Sequence, residues 1–171
     1  MKKKLNKRFF SVLSVLFLAA SFSFAQKTEV IETEHGIWDV EMATKIKSEH
    51  TLTQSTNLLK NYKLVQRTDT VLANIGKTFG SEYILHSSDN QSHVVPIKIV
   101  WIFPKPMTNP YDHKVYTESY TEDYAITGDG KYFNSYTLEY DYEFVEGWWT
   151  FKVMQGNTVL YEKKFLLINL L

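Results

Sequence analysis

The chain has 171 residues, of which 44% are hydrophobic and 15% aromatic, with 19 basic and 19 acidic side chains and no cysteine. The lack of cysteine excludes a disulfide-stapled scaffold, a Cys-ligated metal site and a thiol enzyme. Five of the basic residues lie within the first eight positions, so the rest of the chain is acidic and its Lys and Arg are scattered. This distribution predicts no binding of nucleic acid.

The N-terminus has the layout of a secretory signal peptide. The basic segment is followed by an apolar stretch, Phe9–Ala20, and by small residues at Ser23 and Ala25, the −3 and −1 positions of a cleavage site. A membrane anchor is the alternative, but the apolar run is shorter than the roughly 20 residues that span a bilayer. We therefore expect cleavage after residues 1–25, export to the periplasm or the outside of the cell, and no stable membrane anchor after cleavage.

Downstream of the signal peptide we expect a short N-terminal tail, residues 26–34, and one β domain, residues 35–171. The dominant pattern is period-two alternation with aromatic and β-branched residues, which is typical of half-buried strands. Polar residues interrupt the pattern over 47–61, which we interpret mainly as loop. The clearest strands are Ile37–Ile46, Thr78–His86 and Val94–Phe103, the last ending where Pro104 and Pro106 remove donors.

Two hairpins are predicted in the second half of the chain. One joins Trp148–Met154 to Val159–Ile168 through a turn containing Gly156, and the other joins Lys114–Ile126 to Tyr132–Val145 through a Gly-rich turn. Seven or eight strands at short spacing, with no reliable helix, favour an all-β fold. The expected architecture is a single antiparallel β-sandwich of the immunoglobulin-like type.

Two segments resemble a known family. The segment Thr68–Gly80, with Gly76 and Phe79, and the segment Val145–Val153, with Gly147 before two tryptophans, resemble the bacterial family called domain of unknown function 3859. The resemblance covers about residues 35–168. It implies an exported or envelope-associated β-sandwich and implies no activity.

Metal and nucleophile chemistry have little support in the residues. The five histidines show neither helical i,i+4 spacing nor a His-x-His pair, and the best metal candidate is a trio of His86, Asp89 and His93 across a predicted hairpin. Serine occurs without a Gly-x-Ser-x-Gly elbow. We therefore expect no catalytic residue, no metal and no cofactor.

An acidic row is the basis of the alternative hypothesis, an enzyme. Glu139, Asp141 and Glu143 alternate along a predicted strand, about 7 Å apart, a spacing that suits paired carboxylates in glycoside hydrolysis. The aromatic residues opposite them favour a simpler interpretation, in which the acidic row is the solvated face of a half-buried strand. A glycan- or peptide-acting hydrolase remains the alternative function.

Tyrosines are the most distinctive feature of the chain. Tyr116, Tyr120 and Tyr124 recur every four residues, so they share one face of a predicted strand. They form either an aromatic platform for a partner or part of the sandwich core with hydroxyls at its rim. The leading hypothesis is an exported, non-catalytic β-sandwich that binds a protein or glycan of the cell envelope. A structural accessory subunit whose edge strand pairs with another chain is a further alternative.

Overall fold

The alternation in the sequence corresponds to nine strands in the computed structural model, which describes residues 27–128 and 130–170. The predicted signal peptide lies outside these residues. Within the described residues, one 3₁₀ turn spans Asp141–Glu143. The strands are β1 Thr28–Lys47, β2 Ser55–Gln66, β3 Thr70–Leu72, β4 Thr78–Ser87, β5 Val94–Thr108, β6 Val115–Ile126, β7 Lys131–Thr137, β8 Gly147–Gln155 and β9 Thr158–Ile168.

The strands form two sheets that pack face to face, so the prediction of an all-β sandwich is confirmed. The first sheet has the order β2-β1-β4-β7 and the second the order β3-β9-β8-β5-β6. Neighbouring strands are antiparallel, except that β3 runs parallel to β9. No helix among the described residues is long and apolar enough to cross a membrane.

Aromatic side chains fill the space between the sheets. Phe79 of β4 lies at the centre, with its ring centroid 5.3 to 5.8 Å from those of Trp101, Trp149 and Phe165 in the other sheet. Edge-to-face contacts of this kind add to the free energy of burying the rings. Trp149 is fully buried, because alternate residues of β8 point inward.

The first strand begins earlier than expected. Residues 28–34, predicted as a tail, form the start of β1 and pair with β4. The second half of β1 pairs with β2 instead, so residues 55–61, predicted as loop, are also strand. The polar residues of β2 do not break the strand, because β2 lies at the edge of its sheet and is only partly buried.

One predicted hairpin is confirmed and the other is wrong. Strands β8 and β9 turn at Gly156, whose φ of 56° suits a tight turn. Strands β6 and β7 do not pair. β6 pairs with β5 in one sheet and β7 with β4 in the other, so the glycine-rich segment carries the chain between the sheets. The second arm is also shorter than predicted, because β7 ends at Thr137.

Strand β5 continues through Pro104 and Pro106 to Thr108, beyond its predicted end at Phe103. Its pairing with β6 breaks between Ile102 and Met107, and both prolines lie in that unpaired stretch. Proline is tolerated there because no ladder hydrogen bond needs its missing N–H.

The second half of β1 and strand β2 form a two-stranded ribbon, called here the β1–β2 ribbon, that crosses to the other sheet. Near its base, Trp38 donates from Nε1 to the carbonyl of Gly80 at 3.1 Å. At its tip, the backbone N–H of Tyr120 in β6 donates to the carbonyl of His50 at 3.0 Å. The ribbon therefore spans the side of the sandwich between edge strands β6 and β7.

Candidate functional site

The three tyrosines of the predicted platform lie in different environments. Tyr116 packs against the core and its hydroxyl donates to a loop carboxylate at 2.7 Å. The ring of Tyr120 is stacked on the ring of His50, with 4.5 Å between the two centroids. Nζ of Lys98 lies 3.6 Å from the centroid of the Tyr120 ring. Tyr124 is 74% exposed. The break in β5–β6 pairing directly after Tyr116 changes the local geometry, so the four-residue spacing does not hold all three rings in one exposed surface.

The acidic row does not exist as predicted. The chain leaves β7 at Thr137 and enters the 3₁₀ turn, so alternation along a strand no longer applies. Glu139 is partly buried, Asp141 is exposed and Glu143 is fully buried. The interpretation of the row as a solvated strand face is therefore wrong for Glu143.

The buried carboxylate of Glu143 organises the turn around it. It accepts hydrogen bonds from the Tyr136 hydroxyl at 2.5 Å and from the backbone N–H groups of Glu139 and Tyr140 at 2.7 and 2.8 Å. Burial raises the pKa of Glu143 and raises the pKa of Tyr136 well above its usual value. Because both carboxylate oxygens bind internal donors, this residue stabilises the turn and is not placed to reach a substrate.

A narrow cavity lies under the β1–β2 ribbon, between β6 and β7. Its volume is about 100 Å³. The apolar and aromatic part of its lining consists of Leu59, Ile99, Trp101, Tyr120 and Tyr136. The polar lining side chains come from four segments and include Asn57, Ser119, Thr121, Asn134 and Glu139.

One buried acceptor, on a side chain that lines this cavity, has no partner. Glu139 accepts from Lys45 Nζ at 2.6 Å and from Asn57 Nδ2 at 3.0 Å. Because a carboxylate only accepts, this contact fixes the orientation of the Asn57 amide. Oδ1 of Asn57 is then buried without a hydrogen bond to any described residue. An unsatisfied buried acceptor costs about 1–3 kcal/mol, so it calls for an explanation.

A second group of tyrosines adjoins the cavity along the chain. Tyr140 directly follows Glu139. The centroid of its ring lies 5.9 Å from that of Tyr111 and 5.3 Å from that of Tyr142, on which the Tyr140 ring is stacked. Tyr111 is 75% exposed. Burial raises the pKa of Tyr142. We call these three residues the tyrosine cluster.

Sequence reasoning missed the tyrosine cluster. Tyr140 and Tyr142 were assigned to a strand, and Tyr111 stands in a loop without a period. No local signal brings residue 111 next to residue 140, because the contact depends on how the two sheets pack.

A charged network lies on the other side of the sandwich, where β1 meets β9. His35 contacts Glu32 through Nδ1 at 2.7 Å and Asp69 through Nε2 at 3.2 Å, and Lys163 lies 2.7 Å from the same Asp69 oxygen. Burial opposes the ionisation of Glu32, but hydrogen bonds from Tyr161 and His35 outweigh it and lower the pKa of Glu32. Each charge has an internal partner, so the network links the two sheets.

Two residues of the predicted metal trio, Asp89 and His93, form turn contacts instead. His93 Nε2 lies 2.8 Å from Asp89 Oδ2, and the Ser87 hydroxyl donates to the other Asp89 oxygen at 2.6 Å. The Ser87 hydrogen bond is the largest of the contacts that lower the pKa of Asp89 to about 2. Over the described ranges of the chain, no group of three His, Asp or Glu side chains is arranged to hold a metal ion.

Backbone N–H groups at the edge of β6 are hydrogen-bonded within the molecule. This bears on the alternative that the protein is an accessory subunit whose edge strand pairs with another chain. An exposed row of backbone N–H groups is what a strand from another chain would pair with. Here three such groups bind within the molecule: Tyr120 N to His50 O, Tyr124 N to Asp123 Oδ1 and Ile126 N to the Tyr132 hydroxyl.

The outer face of the second sheet carries an exposed tryptophan. Trp148 is 54% exposed, next to the fully buried Trp149. Its cross-strand partner is Leu166 of β9, which in turn pairs with Thr70 of β3.

Comparison with known proteins decides the family. The sequence profile of the family described as domain of unknown function (DUF3859) matches residues 26–167. The chain belongs to this family. The resemblance in the two short segments is thereby confirmed over nearly the whole described domain, and membership in DUF3859 assigns no activity.

A solved structure similar to this member of DUF3859 is an immunoglobulin-like protein from Pseudomonas aeruginosa. The two chains are 23% identical with a TM-score of 0.57, and the match covers 84% of this chain and 99% of the other. This likeness confirms the immunoglobulin-like fold. A search of curated proteins finds no match.

Proposed function

We propose that the protein is an exported, non-catalytic domain that binds a glycan at the cavity and the adjoining tyrosine cluster. The observation that carries the proposal is the buried, unpartnered Oδ1 of Asn57, whose side chain lines a small polar cavity. Buried polar groups in folded proteins are nearly always hydrogen-bonded. A ligand that donates to this atom would remove the cost of leaving it unpaired.

The electrostatics of the cavity favour an uncharged ligand. The carboxylate of Glu139 is compensated by Lys45 and by the amide of Asn57. The rest of the polar lining consists of hydroxyl and amide groups. A neutral molecule rich in hydroxyl groups matches this set of donors and acceptors.

The tyrosine cluster supports the same ligand class. Tyrosine rings offer a flat apolar surface with a polar tip, which suits a ligand that is apolar on one face and hydrogen-bonding at its edge. Pyranose rings have this character. The exposed ring of Tyr111 and the half-buried ring of Tyr140 lie within contact of each other.

Glycan binding is tested with the mature chain, residues 26–171, on an array of bacterial envelope glycans. We expect binding that is lost in a Tyr111→Ala variant, because the most exposed ring of the cluster is removed. Tyr124→Ala is the matched control, since Tyr124 is equally exposed but lies on β6. Loss of binding in the Tyr124 variant alone would move the site to the β6 platform, and no binding to any glycan would overturn the proposal.

Export is tested by expressing the full chain in a bacterial host and sequencing the N-terminus of the protein from each cell fraction. We expect a mature protein that begins at Gln26, found in the periplasm or the medium. An uncleaved chain retained in the membrane fraction would overturn this part of the proposal.

A second candidate, a protein partner, is favoured by one observation. Trp148 is half exposed on the outer face of its sheet, and tryptophan is among the residue types most enriched in binding hot spots. Affinity capture from an envelope extract with the mature chain, compared with a Trp148→Ala variant, tests it. A partner captured by the wild type and lost in the variant would support this function, whereas equal capture by both would count against it.

A further inference from the structure

We infer that the cavity accepts the acetamido group of an N-acetylated amino sugar, whose ring lies against the tyrosine cluster. This inference rests on the proposed glycan-binding function and specifies the ligand further. It follows from the size of the cavity, the distribution of its polar groups and its lack of net charge.

The size of the cavity selects one substituent of a sugar rather than the sugar itself. The cavity has a volume of only about 100 Å³. Pockets that enclose a whole small ligand measure roughly 300–1,000 Å³. The sugar ring must therefore remain outside the cavity. Because Tyr140 directly follows Glu139, which lines the cavity, we place the ring against the tyrosine cluster.

The lining matches the three parts of an acetamido group. Oδ1 of Asn57 has no partner and is covered in the free protein, so a turn of this cavity-lining side chain is needed for it to accept from the amide N–H. Nδ2 of Asn134 and the hydroxyl of Thr121 line the same cavity and are able to donate to the amide oxygen. Ile99 and Trp101 provide an apolar surface for the methyl group.

Other common substituents fit this lining less well. A free hydroxyl group would satisfy Asn57 but leave the apolar surface in contact with water. An ammonium or carboxylate group would enter a site whose one charged pair, Glu139 with Lys45, is already complete. Burying an unpaired charge is strongly unfavourable, so a neutral amide is the preferred group.

Three disaccharides with the same β-1,4 linkage separate these possibilities: N,N′-diacetylchitobiose, its deacetylated form and cellobiose. They differ at carbon 2, which carries an acetamido group, an ammonium group or a hydroxyl group. With the mature chain, residues 26–171, we expect diacetylchitobiose to bind at least about tenfold more tightly than the other two, as expected for one well-placed hydrogen bond with its apolar contact.

Variants and an intrinsic probe locate the binding. We expect Asn57→Ala to weaken diacetylchitobiose binding by about tenfold, and Asn61→Ala, an exposed change on the same strand, to leave it unchanged. The indole N–H signals of the wild type give a test that needs no variant. The Trp101 signal should shift on titration with diacetylchitobiose, and the Trp148 signal should not.

The outcomes distinguish the inference from the function on which it rests. Equal binding of the three disaccharides with the Trp101 signal shifted would overturn the acetamido inference and leave glycan binding intact. Binding of diacetylchitobiose that shifts only the Trp148 signal would overturn the location. Absence of binding to all three, together with an array that is positive for other glycans, would overturn the inference alone. A negative array as well would overturn the proposed function.

Discussion

The internal role of Glu143 yields a sharp prediction about stability. Truncation to alanine removes the acceptor for three donors, the Tyr136 hydroxyl and the N–H groups of Glu139 and Tyr140. Asp141→Ala is the matched control, because Asp141 belongs to the same 3₁₀ turn but is exposed. We expect the first change to destabilise the fold strongly and the second to change the free energy of unfolding by no more than about 0.5 kcal/mol.

The magnitude follows from the donors that lose their partner. Each buried donor left unsatisfied costs about 1–3 kcal/mol. The Tyr136 hydroxyl is buried, so losing its acceptor costs the full amount. The N–H groups of Glu139 and Tyr140 belong to half-buried residues that water can reach in part, so their loss costs less. Relief of the buried charge offsets some of this loss. We therefore expect Glu143→Ala to lower the free energy of unfolding by about 3 kcal/mol.

Urea unfolding of residues 26–171, followed by tryptophan fluorescence, measures the effect. With a slope of about 2 kcal/mol/M, a loss of 3 kcal/mol moves the midpoint down by about 1.5 M. A midpoint within about 0.3 M of the wild type would refute the argument that Glu143 organises the turn. An equal loss in Asp141→Ala would instead assign the effect to the turn as a whole.

The pH dependence of the same residue has a defined sign. Burial raises the pKa of Glu143 above its usual value of 4.5, so the folded state holds this proton more tightly than the unfolded state. Its contribution to stability is then complete below pH 4.5 and is lost as pH rises through the raised pKa. The unfolding free energy of the wild type relative to Glu143→Gln should therefore fall as pH rises from 4 to 8. A rise in this difference over that range would contradict a raised pKa of Glu143.

Three further predictions concern packing and local contacts. Trp149→Ala should lower the free energy of unfolding in urea by about 3–5 kcal/mol, because the ring is fully buried. Trp148→Ala, at its exposed neighbour, should lower it by less than about 1 kcal/mol. Similar losses in the two variants would contradict the inward and outward alternation of β8. Gly80→Ala should destabilise the sandwich by more than about 2 kcal/mol, since its Cβ would lie 2.2 Å from a backbone oxygen of β7, and a neutral effect would show that the strands separate easily. The pKa of Asp89, followed by carboxyl-carbon NMR, should lie at about 2 and rise in Ser87→Ala; an unchanged value would exclude Ser87 as its cause.

Features that depend on neighbouring residues were predictable from the sequence. Alternation along a strand is a local property of the extended backbone, so it identified the inward side chain of Trp149 and the sandwich that such strands must form. The β8–β9 hairpin was predictable for the same reason, because the conformation at Gly156 is specified within a few residues. The family was likewise recognisable from short segments around Gly76 and Trp149.

Strand partners and edges were not predictable in this way. The same periodicity suits β7 whether it pairs with β6 or, as it does, with β4. Polar residues 55–61 indicated a loop, yet they form a strand because an edge position leaves them partly exposed. Contacts between segments far apart in the chain decide which strands pair and which lie at an edge, and alternation carries no information about those contacts.

The candidate site was determined by the tertiary structure alone. Its parts are Asn57 on the β1–β2 ribbon, Thr121 on β6, and Glu139 and Tyr140 after β7, with Tyr111 in a loop. The sequence alone determined which residues alternate, where the β8–β9 turn lies and that the chain forms a sandwich. Burial of Glu143, the unpaired Asn57 acceptor and the cavity itself arise only when two sheets and a crossing ribbon meet, because they depend on distances between segments that no local pattern encodes.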